Sequence, residues 1–320
     1  MARYTDTVII GAGQAGLALS RCLSDMSVDH VVLDRGAVGQ RWRAERWNSL
    51  RLLTPNWMTR LPGYSFQGSD PKGFMKRDQV VSFLEGYRQS FSAPVVEHTT
   101  VFSVDQYTHG YQVTTSNGIW FCRAVVVATG ACDIPNVPRF ARHLSSDIAQ
   151  LTPSSYKSPA DVADGGVLIV GASATGIQLA AELQAAGRQV TLAVGSHAPV
   201  PRRYRGRDIM EWLDDCEFLN DERPEASDPH KILRQPSLQL VGNTVGHSIS
   251  LASVAESGVR LVGRVTNAGN RIVTLGDTLA DDIATGQRRQ SHILARVDHH
   301  ILQHGLSAPA AEASETVNTH

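Results

Sequence analysis

The chain has 320 residues and a formal net charge of −1, with 42% hydrophobic and 19% charged residues. At about 100–200 residues per domain, this length predicts two globular domains with sizeable cores. The near-neutral charge excludes the overall basic field that is typical of nucleic-acid-binding proteins. No charged-then-apolar leader follows Met1, and no apolar run reaches the ~20 residues of a membrane helix. We therefore expect a cytoplasmic protein without a membrane span.

The four cysteines are not spaced as a CxxC or CxxxxC pair; they are Cys22, Cys122, Cys132 and Cys216. This spacing disfavours a redox-active dithiol and a zinc site, and we expect no bound metal. Because free cysteine prefers burial, we expect these residues to be buried structural thiols.

The N-terminal residues predict a βαβ unit. A β-branched run over residues 7–10 predicts a strand, residues 14–24 a helix, and residues 30–33 a second strand. A Gly-x-Gly-x-x-Gly motif at residues 11–16 joins the first strand to the helix, and Asp34 ends the second strand. This context predicts a dinucleotide site more strongly than the motif does alone.

Each glycine of the motif has a distinct role in such a site. Gly11 allows the tight turn, Gly13 lets the backbone approach a pyrophosphate, and Gly16 lets the helix pack closely on the sheet. The helix N-terminus supplies N–H donors to the phosphates. Asp34 is placed to bind a ribose hydroxyl and would repel a 2′-phosphate, which favours FAD or NAD over NADP. The predicted contacts are Gly11, Gly13, Gln14, Ala15, Gly16, Asp34 and Arg35.

The rest of the first half predicts a long loop, a helix and a β-meander. Residues 36–77 are irregular and rich in Trp, Arg, Pro and Gly, which is typical of a functional loop. A helix is predicted over residues 78–91. Strands are predicted over residues 95–104, 111–115, 119–122 and 124–128, with a hairpin turn at Asn117-Gly118. Prolines then predict a linker over residues 131–165.

The second half begins with another βαβ pattern. Its strands are predicted at residues 167–170 and 190–194, its turn at 171–176 and its helix at 177–186. Further along, the sequence predicts strands at 259–262 and 271–275, a helix over 279–302 and a disordered tail from 307.

The second turn, Gly171-Ala-Ser173-Ala174-Thr175-Gly176, has a serine where the first has its central glycine. The Ser173 side chain could push a phosphate away or donate a hydrogen bond to it. No acid ends the following strand, so nothing there bars a 2′-phosphate, and Arg202 and Arg203 could pair with one. This site therefore favours NADP(H) over NAD(H).

The residues after the second strand resemble those of class B flavin monooxygenases, the group of flavin-containing, Baeyer–Villiger and N-hydroxylating enzymes. The resemblance lies in Gly39-Gln-Arg-Trp42, Arg46-Trp47 and the segment 50–55. Ala128-Thr129-Gly130 is similar to an ATG motif of the same family. The resemblance implies FAD contacts at Gln40, Arg41, Trp42, Leu52, Thr54, Val101, Ala128, Thr129 and Gly130.

The resemblance implies two Rossmann-like, doubly wound α/β domains, with a β-meander in the first. We expect residues 1–157 to bind FAD, residues 158–305 to bind NADP(H), and residues 306–320 to form a flexible tail. The implied activity is NADPH-dependent monooxygenation of a small organic substrate by O2, through an intermediate of reduced flavin and oxygen. Catalytic side chains and the substrate are not predicted, and homo-oligomerisation stays open.

Three features depart from the family pattern. The linker has Thr152 near the place of a family histidine, Ser173 replaces a glycine, and the residues after Leu302 do not resemble the family's closing FAD segment. Two alternatives therefore stay open. One is an NAD(P)H:FAD oxidoreductase or oxidase without oxygen insertion, and the other is a non-catalytic flavin-binding regulatory or interaction protein. A disulfide reductase is disfavoured because no cysteine pair is suitably spaced.

Overall fold

The computed structural model describes residues 2–132, 134–221, 235–242, 248–312 and 317. The chain divides into two compact units. The first contains Met1–Asn136 and Leu151–Ser158, and the second contains Val137–Gln150 and Pro159–His320. The sequence prediction placed residues 137–150 in the first domain. They lie in the second unit because Ser145 donates its N–H to the Asn270 carbonyl at 2.7 Å.

The first unit contains one large mixed sheet. Its strands are β1 (Ala2–Ile10), β2 (His30–Leu33), β3 (Arg60–Leu61), β4 (Tyr64–Ser65), β5 (Val95–Val96), β6 (Val101–Tyr107), β7 (Gly110–Thr115) and β8 (Gly118–Val127). The sheet order is β5-β2-β1-β8-β7-β6, and β3 pairs separately with β4. Strands β5, β2, β1 and β8 run parallel, while β6, β7 and β8 form an antiparallel meander. The helices are α1 (Gln14–Asp25), α2 (Gln40–Ala44) and α3 (Arg77–Ser90).

The alternation of side chains along β1 explains why both faces of this sheet are covered. Ile9 packs with Leu17 and Leu84, which belong to α1 and α3. The preceding residue, Val8, points to the opposite face and packs with Val113 of the meander. Successive residues of a strand face opposite sides, so a continuous apolar run is what a doubly covered strand needs. The predicted dinucleotide fold with a meander is confirmed.

Two of the predicted strand boundaries are wrong for a reason that involves distant pairing. The run 95–104 is not one strand. It is interrupted between β5 and β6, where the Thr99 N–H donates to the Asp34 carbonyl at 2.7 Å. Residues 119–122 and 124–128 instead merge into β8, because β1 pairs with this strand from Ile119 to Val127. The predicted hairpin is confirmed, with Thr115 paired to Gly118 across the turn.

The predicted burial of the cysteines holds for one of them. Cys122 is buried in the sheet, and burial raises the pKa of its thiol. Cys22 and Cys132 are exposed, which corrects the expectation, and Cys216 is half-buried.

The second unit repeats the βαβ arrangement on a smaller scale. Its strands are β9 (Val167–Val170), β10 (Val190–Ala193), β11 (Ala198–Pro199), β12 (Arg203–Tyr204), β13 (Arg207–Asp208), β14 (Leu238–Gln239), β15 (Arg260–Val262), β16 (Val265–Gly269) and β17 (Ile272–Leu275). Its helices are α4 (Ala174–Ala185), α5 (Ile209–Asp215), α6 (Leu251–Glu256) and α7 (Leu279–Gln303). The parallel sheet has the order β15-β10-β9, and β16 pairs with β17 as a hairpin.

Helix α7 packs against the chain that follows β10. It buries Ile283, Ile293 and Val297 along one face, as an amphipathic helix of this length should. Gly286 also lies on this face, and a Cβ there would come within 2.5 Å of Nε2 of the buried His197. A glycine in the helix therefore makes room for the imidazole ring.

The predicted tail is described only over residues 306–312 and at Val317; residues 313–316 and 318–320 lie outside the described residues. In the described part, the Pro309 carbonyl accepts a hydrogen bond from Nη1 of Arg205 at 3.0 Å. None of the helices that the structure describes is both long enough and apolar enough to cross a membrane.

Candidate functional site: two glycine turns

The first glycine turn is held by close backbone contacts. Gly11 has φ +112°, a conformation that favours glycine, and its N–H donates to the Leu33 carbonyl at 2.7 Å. A Cβ on Gly11 would lie 2.5 Å from the Ala128 carbonyl oxygen. A Cβ on Gly16 would lie 1.9 Å from the Gly11 carbonyl oxygen. These two glycines are required by the fold, whether or not a ligand binds.

Gly13 differs from the other two glycines because the fold does not require it. Its φ of −88° and ψ of −170° suit any residue, and no heavy atom lies within 4 Å of the place of its Cβ. The space above Gly13 is open, and it adjoins the first turn of α1, where Gln14, Ala15 and Gly16 lie. The first N–H groups of a helix have no partner within it, so this space suits a pyrophosphate.

Asp34 lies beside the same turn. One of its carboxylate oxygens, Oδ2, accepts the N–H of Ala12 at 2.7 Å, and Oδ1 accepts the N–H of Gly36 at 2.9 Å. These bonds fix the carboxylate while leaving acceptor capacity for a ribose hydroxyl, since an ionised carboxylate has about four acceptor sites. Its negative charge disfavours a 2′-phosphate at this position.

The segment after β2 returns to the first turn. The Gly39 N–H donates to the Ala12 carbonyl at 3.2 Å, which places the start of α2 beside the turn. Nη1 of Arg41 would lie 3.2 Å from a Cβ on Gly130, so the structure brings Arg41 and the Ala128–Gly130 segment together. Gln40 folds back within this segment, and its Oε1 accepts the N–H of Ala37 at 3.2 Å.

Trp42 and Leu52 pack, together with Ala128, against the core cluster beneath α1 and α3. The guanidinium of Arg46 lies over the Trp42 ring at 5.5 Å from its centroid. The same core cluster contains Ala12 of the turn, and a ring system such as isoalloxazine needs apolar and aromatic packing of this kind.

The other expected contacts are less directly tied to the turn. Arg35 pairs with Glu45 at 3.0 Å. Val101 begins β6, opposite Thr115, and packs on the meander side of the sheet. Thr54 is half-buried in the loop before the Asn56–Met58 turn of 3-10 helix.

The second glycine turn has the same backbone geometry as the first. Gly171 has φ +104° and donates its N–H to the Ala193 carbonyl at 3.0 Å. A Cβ on Gly176 would lie 1.8 Å from the Gly171 carbonyl oxygen. Ser173 has φ −76° and ψ −178°, close to the values at Gly13, so its side chain extends where Gly13 leaves space. Ala174 and Thr175 begin α4, so the helix starts three residues before the predicted residue 177.

The Ser173 hydroxyl and two residues at β14 border this second turn. Oγ of Ser173 lies 3.1 Å from Oγ of Ser237, and Nε2 of Gln239 donates to the Ala172 carbonyl. No local pattern indicates this border, because Ser237 and Gln239 are far from the turn in the chain and carry no motif.

A buried valine takes the place of Asp34 in the second unit. Ile10 pairs with Leu33 in the first sheet, and Val170 pairs with Ala193 in the second. The next residue is Asp34 in one case and Val194 in the other, and Val194 is fully buried. The register thus confirms that no carboxylate ends this strand.

The structure corrects the role expected of Arg202. Its side chain is only 1% exposed and pairs through Nη2 with Oδ1 of Asp208 at 2.5 Å. Burial lowers the pKa of this guanidinium, and the Asp208 carboxylate opposes that effect. Arg202 is therefore committed to a buried ion pair and is not placed to bind a phosphate. Arg203 is exposed and donates to the Gly206 carbonyl at 2.5 Å.

The sequence profile of the pyridine nucleotide-disulphide oxidoreductases matches residues 8–212, which include both glycine turns. The chain belongs to this family. It is 36% identical over 222 residues to an uncharacterized CzcO-like oxidoreductase of Geobacillus kaustophilus, covering 69% of this chain and 63% of the relative. It is 29% identical over 227 residues to the indole-3-pyruvate monooxygenase YUCCA6 of Arabidopsis thaliana, covering 65% and 54%.

Among solved structures, a flavin-containing monooxygenase from Stenotrophomonas maltophilia has the same fold. Its TM-score is 0.57 at 20% identity, and the superposition covers 93% of this chain and 99% of that one. These similarities confirm the resemblance to class B flavin monooxygenases. The chain therefore spans 63% of the length of the first of these curated relatives and 54% of the length of the second.

Gly13→Val should remove flavin binding while leaving the fold intact, because the added side chain meets only open space. The change at the start of α1 should cost no more than about 1–2 kcal/mol of unfolding free energy. Gly16→Ala is the matched comparison, and it should destabilise the fold itself because its Cβ meets a backbone carbonyl. Flavin absorbance per protein and thermal unfolding measure the two effects. A Gly13→Val protein that retains full flavin would contradict the assignment of this site.

Asp208→Asn should lower the unfolding free energy by about 3 kcal/mol, because it removes the carboxylate that pairs with the buried Arg202 guanidinium. The control is Asp215→Asn, since Asp215 pairs with Arg207 at the surface and its loss should cost less than about 1 kcal/mol. Denaturant titration of both variants gives the comparison. Equal stability of the two would show that the Arg202 pair is not structurally important.

Proposed function

We propose that the chain binds FAD at the first glycine turn and NADP(H) at the second, and that it acts as an NADPH-dependent flavoprotein monooxygenase. The proposal rests mainly on Gly13, which lies at the open N-terminus of α1. Neither its backbone conformation nor its packing requires a glycine at this position. A bound pyrophosphate is the constraint that explains it.

The choice of FAD for the first site rests on charge and on the surrounding side chains. The fixed carboxylate of Asp34 favours a free ribose hydroxyl and so disfavours NADP(H) there. The packing of Trp42 and Leu52 near the turn favours a dinucleotide with a large aromatic ring. A relative that is named as a monooxygenase and a protein of the same fold that is named as a flavin-containing monooxygenase add to this support.

A bound flavin would accept a hydride from NADPH and activate O2, and that chemistry belongs to the cofactor. The chain's own part is to bind and orient. The N–H groups at the start of α1 would hold the diphosphate, and Asp34 would accept a hydrogen bond from ribose. The guanidinium of Arg41 lies beside Gly130, near the C-terminal end of β8. The substrate is proposed to be a small organic molecule.

The test is the visible spectrum of the purified protein, followed in air as NADPH is added. The proposal predicts flavin bands that bleach and then recover, with NADPH consumed and an oxygenated product formed when a substrate is present. The control is the Gly13→Val protein, incubated with FAD and then given NADPH. It should show no flavin bands and consume no NADPH.

Other outcomes of the same experiment identify the alternatives. Hydrogen peroxide formed in equal amount to the NADPH consumed, without an oxygenated product from any substrate tried, would indicate an oxidase. Flavin bands that NADPH leaves unchanged would indicate a non-catalytic flavin-binding protein. A colourless protein that takes up no FAD would overturn the proposal entirely.

A further inference from the structure

The loop that follows β10 contains the residues that would face the adenosine ribose of a nucleotide at the second turn. In dinucleotide folds this position comes immediately after the second strand of the βαβ unit. In the first unit it is held by Asp34. In the second unit Val194 is buried, its N–H donates to the Val262 carbonyl at 2.9 Å, and Gly195 and Ser196 follow.

Arg264 lies against this loop from the base of the β16–β17 hairpin. A Cβ on Gly195 would lie 3.7 Å from Cζ and Nε of Arg264, so the guanidinium lies beside this glycine. Nη2 of Arg264 bonds Oδ1 of Asp282 at 2.8 Å, which orients the guanidinium. The side chain of Arg264 is 52% exposed and can meet a ligand from solvent.

Arg289 approaches the same loop from α7. Its Nη1 donates to Oγ of Ser196 and to the His197 carbonyl, both at 2.9 Å. A guanidinium has five N–H groups in a rigid fork. Within the part of the chain that the structure describes, Nε and Nη2 of Arg289 make no hydrogen bond, so they can donate to an anion.

The charged and titratable groups around the loop therefore favour an anion. Two guanidinium groups lie at this loop, that of Arg264 beside Gly195 and that of Arg289 bonded to the Ser196 hydroxyl. Asp282 offsets one of the two charges, and burial lowers the pKa of His197 and so favours its neutral form. In the first unit, the same position carries the carboxylate of Asp34 instead.

We propose that Ser196, Arg264 and Arg289 form the subsite that binds the 2′-phosphate of NADP(H). Planar guanidinium groups suit phosphate oxygens, because they donate two parallel hydrogen bonds. The subsite replaces the role that the sequence suggested for Arg202, which is committed to Asp208. This inference rests on the proposed use of the second turn by NADP(H).

The test compares equilibrium binding of NADP⁺ and NAD⁺ to the FAD-loaded protein by calorimetry. In Arg264→Ala/Arg289→Ala, affinity for NADP⁺ should fall by on the order of 10- to 100-fold, as expected for lost hydrogen bonds to a charged group. Affinity for NAD⁺ should change by less than about 3-fold, because NAD⁺ lacks the phosphate that these residues bind. The same comparison can be made without flavin, using adenosine 2′,5′-bisphosphate and ADP. The variants should lose affinity for adenosine 2′,5′-bisphosphate and keep their affinity for ADP.

Two controls keep the test specific. Arg288→Ala removes the same charge from the same helix, but Nη2 of Arg288 donates to Oγ1 of Thr285 and not to the loop. It should leave both affinities unchanged. The single variant Arg264→Ala is a second test, for the case that loss of Arg289 unfolds the loop. It removes a half-exposed side chain, so the loop should keep its structure.

The outcomes separate the inference from the proposed function. Wild-type protein that prefers NADP⁺, with variants that keep this preference or lose both nucleotides equally, would overturn the subsite and leave the second site standing. Wild-type protein that binds neither nucleotide would overturn both. Selective loss of NADP⁺ and of adenosine 2′,5′-bisphosphate, with Arg288→Ala unchanged, supports the subsite.

Discussion

The contact between the third glycine and the carbonyl of the first is the constraint on which both nucleotide turns depend. A Cβ on Gly16 would come within 1.9 Å of the Gly11 carbonyl oxygen, and one on Gly176 within 1.8 Å of that of Gly171. No larger residue can occupy these positions without moving the helix away from its sheet. Because the helix sits this close, its first N–H groups lie at the carboxyl end of the parallel strands, where phosphates bind.

The two turns share a backbone but differ in what surrounds them. At the first, Gly13 leaves open space and a fixed carboxylate follows β2. At the second, Ser173 fills that space and bonds Ser237, while a buried valine follows β10. The same scaffold can thus serve two different nucleotides, because selection depends on side chains that the turn itself does not fix. Our proposal of FAD at one turn and NADP(H) at the other follows from these differences.

Local sequence patterns were enough to predict both βαβ units, the meander and the glycine turns. They were not enough where distant residues decide. Arg202 belongs to a basic stretch, and only the folded chain shows that Asp208 neutralises it in a buried pair. Arg264 and Arg289 reach the loop after β10 from a hairpin and a helix, so no local motif could connect them to it.

A repeated tripeptide shows the same limit. Ala128-Thr129-Gly130 follows a strand, whereas Ala284-Thr285-Gly286 lies inside α7. The first copy comes after an apolar run that pairs with β1. The second comes after Asp281 and Asp282, and acids in the first turn favour a helix. The identical residues therefore adopt different structures because of what precedes and contacts them.

A crystal structure of the protein with FAD and NADP⁺ would show directly whether the two turns bind different nucleotides. We expect the FAD diphosphate over Gly13 with the FAD ribose at Asp34, and the NADP⁺ diphosphate over the turn that contains Ser173. FAD at the second turn, or a diphosphate bound away from both turns, would contradict the assignment of the two sites.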